Sequence, residues 1–250
     1  LAEGSTLKLS DGSSSVALAS GRSSIDGILK ANGQFLLIND KGIDIGSTAK
    51  VSANNFVASA LGINPSVVGS GLLMQDGVSA RAFYLNEEAV GDTPEGRDAV
   101  LTAFRQSTVN VKSSAKIESA SNGYVILAGG TINQAGTINT PKGQALLAAG
   151  ADVYLKPAFA QAMRGFSAEV NPLYVIGANA GFDDPWVALS RGADANAVTN
   201  SGSISAAFGN ITLVGHEITQ AGLLSASTSS TANGSIRLLA RDQVNDRGAG

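Results

Sequence analysis

Hydrophobic positions fall in short aliphatic runs separated by glycine and asparagine, not in the wide stripes of amphipathic helices. Ile43-Asp44-Ile45, Val125-Ile126-Leu127 and Ile211-Thr212-Leu213 mix alternation with continuous apolar character. That mixture predicts strands with one face inside a core and the other only partly polar. One stretch predicts a helix: Glu95 to Gln106, where Val100, Leu101 and Phe104 stand at near-helical spacing and Pro94 fits the start.

The runs repeat. Gly123-Tyr-Val-Ile-Leu-Ala-Gly129 and Ile132-Asn-Gln-Ala-Gly-Thr-Ile138 return 86 residues later as Gly209-Asn-Ile-Thr-Leu-Val-Gly215 and Ile218-Thr-Gln-Ala-Gly-Leu-Leu224. Gly143-Gln-Ala-Leu-Leu-Ala-Ala149 returns 91 residues later as Gly234-Ser-Ile-Arg-Leu-Leu-Ala240, which places a five-residue insertion in a surface turn at Ser227 to Thr231. Within one copy, runs start at Gly123 and Gly143, 20 residues apart, a spacing typical of one rung of a solenoid. Asn32-Gly33, Asn122-Gly123 and Asn233-Gly234 each precede a run and supply positive-φ residues for a sharp corner. Such pairs also mark two-residue hairpins. The head-to-tail polarity of the runs favours corners, and with them an all-β parallel solenoid.

Two segments break the repeat, near 64–108 and 157–196, and they carry most of the aromatic surface: Tyr84 and Phe83 beside Met74 in the first, Phe159, Phe166, Tyr174, Phe182 and Trp186 in the second. They are expected to leave the solenoid as loops or β-hairpins and pack on its side, because exposed rings invite aggregation. The whole of 1–250 then reads as one domain.

Composition agrees with thin, repetitive layers. Hydrophobic residues are 44% of the chain but aromatics only 5%, so Val, Ile, Leu and Ala must fill the interior. Charged residues are 15%, below the roughly 25% of ordinary domains. The net charge of −3 gives no broad cationic surface for a nucleic-acid backbone. No apolar run approaches the roughly 20 residues that cross a bilayer, so no stable membrane insertion is expected. The opening Leu1, with no initiator methionine or signal-like region, reads as the start of an excised or processed segment. Cysteine is absent, which suits a protein exported unfolded and suits a cytosolic one equally.

Candidate chemistry is sparse. Asp183 and Asp184 beside Trp186 resemble a sugar platform with an acid pair; adjacent strand residues point to opposite faces, which favours instead a Gly-Phe-Asp-Asp-Pro turn under an aromatic lid. Glu87, Glu88, Asp92 and Glu95 lack the ordered spacing of a calcium site and read as a solvated loop. His216 is the only histidine, so neither a two-imidazole metal site nor a serine–histidine relay is expected. The glycines do not form a phosphate loop, and the acceptor patterns at Asn210 and Asn233 are given no functional meaning. No catalytic residue, cofactor or metal is assigned.

The order of motifs resembles the N-terminal secretion domain of filamentous haemagglutinin-like exoproteins exported by two-partner secretion. The residues that carry it are Ser14-Ser-Ser-Val-Ala-Leu18, Ile25-Asp-Gly-Ile-Leu-Lys-Ala-Asn-Gly-Gln-Phe-Leu-Leu-Ile-Asn39, Gly46-Ser-Thr-Ala-Lys-Val51, Phe56-Val-Ala-Ser-Ala-Leu-Gly-Ile63 and the stretch from Gly123 to Leu155. It covers most of 14–63, 110–156 and 196–240. Where the family commonly shows Asn-Pro-Asn-Gly, this chain has Asn39-Asp40-Lys41-Gly42; Asn39 still opens the turn and Gly42 still supplies a positive φ.

The resemblance implies a right-handed parallel β-helix with a partial N-terminal cap in Leu1 to Leu9. It also implies a monomeric secretion-recognition and folding-nucleation domain of a large surface protein or adhesin. The partner would be an outer-membrane transporter with periplasmic recognition domains. The protein would pass the periplasm of a Gram-negative bacterium to the cell surface or medium. Transporter recognition falls on Phe35, Asn39, Asp40, Lys41, Gly42 and Ile43, through a still unfolded segment that adds a strand to the partner. A second reading is an adhesin or glycan-binding module that meets a host receptor or glycan through Tyr174, Asp183, Asp184 and Trp186. A polysaccharide lyase or hydrolase is third.

Overall fold

The computed structural model describes residues 1–72, 80–85, 94–157, 165–171, 173–176, 186–188, 196–228 and 233–240. In chain order the strands are β1 Thr6–Leu9, β2 Ser15–Leu18, β3 Ser23–Ile25, β4 Ile28–Ile38, β5 Ile43–Ile45, β6 Lys50–Ser59, β7 Gly62–Ile63, β8 Ala80–Tyr84, β9 Thr108–Val111, β10 Lys116–Ser119, β11 Tyr124–Gly129, β12 Thr131–Gln134, β13 Thr137–Asn139, β14 Gln144–Ala149, β15 Asp152–Pro157, β16 Phe166–Asn171, β17 Tyr174–Ile176, β18 Trp186–Ala188, β19 Ala197–Asn200, β20 Ser203–Ser205, β21 Asn210–Gly215, β22 Glu217–Gln220, β23 Leu223–Ser225 and β24 Ser235–Ala240. The helices are α1 Pro65–Val68 and α2 Pro94–Gln106.

The protein is all-β, built on parallel sheets. Three columns of strands run side by side, and within each column every neighbour is parallel. The first column is β1, β4, β6, β10, β13, β20 and β23; the second is β2, β4, β6, β11, β14, β21 and β24. The third is β3, β5, β9, β12, β19 and β22. From β9 onward the chain visits the third, first and second columns in that order and moves up one strand per visit. The long strands β4 and β6 each serve two columns.

Register explains the sequence periods. Tyr124 pairs with Gln144, 20 residues on, and Gln144 with Asn210, 66 residues on, so the 86-residue repeat is one short turn plus one long turn. Lys50 also pairs with Lys116 across 66 residues. The long turns are those that contain the two excursions, and both excursions depart after a second-column strand and return to the third column.

Side chains that share a register position stack. Leu29, Val51, Ile117, Ile138 and Ile204 succeed one another in the first column, as do Phe56, Val125, Ala145 and Ile211 in the second, all fully or nearly fully buried. Phe35 stacks flat on Phe56 with centroids 6.4 Å apart. One continuous interior results. Its first level is only partly covered: β1 and β2 pair on one side with β4 alone, and an open cavity of about 330 Å³ is lined by Leu7, Ala17, Leu29, Phe35 and Leu37.

The second column departs from the expected half-polar outer face. β14 and β21 are buried at every position. The reason is a cover laid over Leu36, Val57, Ile126, Leu146 and Val214. It consists of an antiparallel sheet in the order β16, β15, β8, β7, together with Val67 of α1 and Phe104 of α2. The expected helix over 95–106 is present as α2; α1 was not foreseen and starts at Asn64, whose side chain accepts from the Ser66 amide at 3.0 Å.

The corners also differ in detail. Asn122 adopts φ 65°, but so do Lys142 (55°) and Phe208 (58°), each just before a glycine. The glycine itself serves close approach: a Cβ on Gly143 would lie 1.8 Å from the Gly123 carbonyl oxygen, and one on Gly209 2.2 Å from that of Gly143. Asn32-Gly33 is no corner at all. It sits inside β4, where the register to β6 shifts between Ala31 and Gln34.

Candidate functional site

The turn that joins β4 to β5 is built by Asn39 and Gly42. Asn39 Oδ1 accepts from the Lys41 amide at 2.9 Å, and the Gly42 amide donates to the Asn39 carbonyl at 3.0 Å. Those two bonds close a side-chain turn inside a backbone turn. Asn39 Nδ2 reaches the preceding turn, donating to the Gly21 carbonyl and to Ser23 Oγ at 2.6 Å. Its burial is therefore compensated, as buried amides require. Gly42 has φ 96°, and a Cβ there would meet Arg22 Nη1 at 2.3 Å and the Gln106 carbonyl at 2.8 Å. Three successive corners meet at this glycine.

Of the six residues assigned to transporter recognition, only Asp40 and Lys41 present their side chains to solvent, where they approach to 3.6 Å. Phe35 and Ile43 point into the interior and Asn39 is buried. In the folded protein this segment is a corner; as a recognition element its apolar residues are accessible only before folding.

Sequence reasoning missed the polar ladder beside the turn. Arg22 grips Asp44 with Nε and Nη2 at 2.5 and 3.0 Å, and Nη2 also donates to Thr108 Oγ1 at 2.9 Å. Asp44 Oδ1 accepts from Asn110 at 2.8 Å, and Asn110 Oδ1 from Asn133 at 2.9 Å. The Arg22 bond holds the Asp44 carboxyl below the usual carboxylate range, opposed by partial burial and helped by Asn110. Asp44, Asn110 and Asn133 occupy one register position on three adjacent strands. The signal was present as a 22-residue separation between Arg22 and Asp44, the same as between Ile28 and its partner Lys50.

The second candidate surface is only partly placed. Tyr174 and Trp186 stand on β17 and β18, an antiparallel pair whose backbone register sets Tyr174 against Ala188 and Trp186 against Ile176. Asp183 and Asp184 lie outside the described residues, as do Glu87, Glu88 and Asp92 of the acidic group and five-residue-insertion positions 229–231. Among the described residues no three His, Cys, Asp or Glu side chains gather as metal ligands, and no helix is long and apolar enough to cross a membrane. His216 sits at the corner between β21 and β22, its amide bonded to the Asn196 carbonyl at 2.8 Å.

No protein-family model matches the chain, and no curated protein does. Among solved structures it is similar to the HMW1 secretion domain from Haemophilus influenzae, with a TM-score of 0.57 and 22% identity. The likeness covers 94% of this chain and 54% of that one, so the chain spans about half the length of the structure it matches. At this identity the likeness is one of fold.

Proposed function

We propose that the chain is a right-handed parallel β-helix and serves as the secretion-recognition and folding-nucleation domain of a large exported surface protein, handed through the periplasm to an outer-membrane transporter. The observation that carries this reading is the likeness over 94% of the chain to a domain named for secretion. The stacked columns supply a physical basis. Each strand bonds mainly to the turn before and after it, so folding can advance one turn at a time as chain emerges. A lone turn has nothing against which to bury its aliphatic residues, so propagation must begin on turns already formed.

The role is non-catalytic and the unit is the whole of 1–250. Recognition uses the unfolded strands around Phe35 to Ile43, whose apolar side chains are exposed then and sealed afterwards. Folding on the far side of the membrane buries the address and makes export irreversible. Two measurements test this. A passenger from which residues 1–156 are deleted should not be secreted. An unfolded peptide of residues 28–63 should bind the partner's isolated periplasmic domain in calorimetry; normal secretion in the first, or no heat in the second, overturns the corresponding half of the proposal.

A further inference from the structure

We propose that Asn233 is a self-modification site: in the folded chain it converts to aspartate and isoaspartate through a cyclic imide closed by the Gly234 amide, while the fold holds the other Asn-Gly pairs inert. The chain has three such pairs, Asn32-Gly33, Asn122-Gly123 and Asn233-Gly234. Their chemistry is the same, because a glycine puts no Cβ in the way of its own amide nitrogen and the asparagine side chain already reaches that far. What differs is the hold on each pair. The Asn122 amide donates to the Pro141 carbonyl at 2.9 Å, and the Gly123 amide to the Ala120 carbonyl at 2.9 Å. The corner glycines above it, Gly143 and Gly209, are locked likewise, to the Thr140 and Ala206 carbonyls at 3.1 and 2.9 Å. Asn32 lies inside β4, where its Nδ2 donates to the Ser10 carbonyl at 3.3 Å and its own carbonyl accepts from Asn54 Nδ2. Gly33 beside it is buried against the backbone of Ser13 and Gly12.

Gly234 stands at the same corner position one turn above Gly209, but its amide meets no acceptor among the described residues, and neither does that of Asn233. Asn233 is exposed to water. Glycine is required there all the same, since a Cβ on Gly234 would lie 2.5 Å from the Ser227 carbonyl oxygen. The corner therefore joins an obligatory glycine to an amide that nothing holds. The reaction balances with water alone. Hydroxide takes the Gly234 amide proton, the nitrogen bonds to Asn233 Cγ as the Cγ–Nδ2 bond breaks, and Nδ2 leaves as ammonia with a proton from water. Water then opens the imide at either carbonyl. Cleavage of the new N–Cγ bond gives aspartate; cleavage of the original peptide bond gives isoaspartate. In the second product the extra backbone atom enters ahead of Ser235, whose amide bond to the Gly209 carbonyl at 3.1 Å is the first that ties β24 to the turn below. β24 keeps its register, so the change adds one negative charge to the corner without unfolding the turn.

The test is site-resolved mass spectrometry of the full chain aged in warm, mildly alkaline buffer, either folded or in urea. In urea all three asparagines should convert at similar rates. In the folded chain Asn233 should convert nearly as fast as in urea, whereas Asn32 and Asn122 should slow by on the order of tenfold or more, because their bonds must open first. The folded rate at Asn233 should rise in step with hydroxide. Asn233→Gln should abolish conversion in that peptide and leave the other two unchanged. Aged protein should melt at the same temperature as fresh protein while binding an anion exchanger more tightly. Protection of Asn233 equal to that of Asn122 overturns the site. Folded-state conversion of Asn32 or Asn122 at its urea rate overturns the part assigned to the fold. A melting temperature that falls as Asn233 converts overturns the claim that β24 keeps its register.

Discussion

Arg22 and Asp44, one turn apart, form a two-pronged ion pair on the outside of the stack, with contacts of 2.5 and 3.0 Å. Both side chains keep substantial solvent contact, 40% for Arg22 and 28% for Asp44, so screening limits the pair to about 1 kcal/mol. Asp44→Asn should cost about that much at neutral pH. The carboxyl's folded value is depressed, so its contribution is fully present above the unfolded value of about 3.9 and is lost as pH falls from there through the folded value. Thermal melts of both proteins should therefore converge in acid below about pH 4. Curves that stay parallel would show that the pair does not bind the two turns together.

Gly143 separates two explanations of corner glycines. A Cβ there meets backbone, the Gly123 carbonyl oxygen at 1.8 Å, and neither turn can yield without breaking the ladder. Gly143→Ala should cost about 3 kcal/mol, the upper end for overpacking. Gly21→Ala, where nothing lies within 4 Å, should be neutral or slightly stabilising, by up to about 1 kcal/mol. Equal effects in denaturant titrations would remove close stacking as the reason for the glycine.

Much of the fold was legible because stacking turns repeat the same residue types at the same positions. Val125 and Ala145 in neighbouring strands, or Ile132 and Val198, show their pairing as a period in the chain. What could not be read is whatever depends on residues far outside the period. Ile126 and Leu146 face outward, and only the cover that carries Phe83, Phe104 and Phe166 makes that face apolar. Phe208 in a left-handed conformation was hidden for a related reason, since the glycine after it drew attention to itself. At the Asn39–Gly42 turn the bonds of Asn39 and the φ of Gly42 were legible from residue type, whereas the reach of Arg22 across three turns was not.

Gln134 is a buried amide that stands between Val111 one turn below and Asn200 one turn above. It is kept there by Gly136, whose amide donates to Gln134 Oε1 at 3.1 Å and whose carbonyl accepts from Nε2 at 2.9 Å. Gln134→Leu preserves volume and strands the Gly136 amide, at about 1–3 kcal/mol. Hydrogen exchange at Gly136 should accelerate more than at Ala135, whose amide bonds to the Val111 carbonyl. Unchanged protection at Gly136 would mean the amide has another acceptor.

Tyr124 links the stack to its cover: its ring meets Phe166 edge-on at 5.2 Å, and its hydroxyl donates to Gln34 Oε1 at 2.9 Å. Burial pushes its ionisation well above the ordinary phenol value, and burial followed by the nearby Asp152 does the same more weakly for Tyr154. A raised phenol value means that stability is fully present below the unfolded value of about 10 and is lost above it, because the unfolded chain releases a proton that the folded chain retains. Between its unfolded and folded values Tyr124 steepens the alkaline loss by about 1.4 kcal/mol per pH unit. Tyr124→Phe forfeits the hydrogen bond, at about 1 kcal/mol near neutral pH, and removes one of these protons. The variant should therefore be the weaker protein at pH 7 and the stronger one well above pH 10, so that the two stability curves from urea titrations cross. Curves that run parallel through the alkaline range would show that water reaches the Tyr124 hydroxyl and that the cover does not seal the second column.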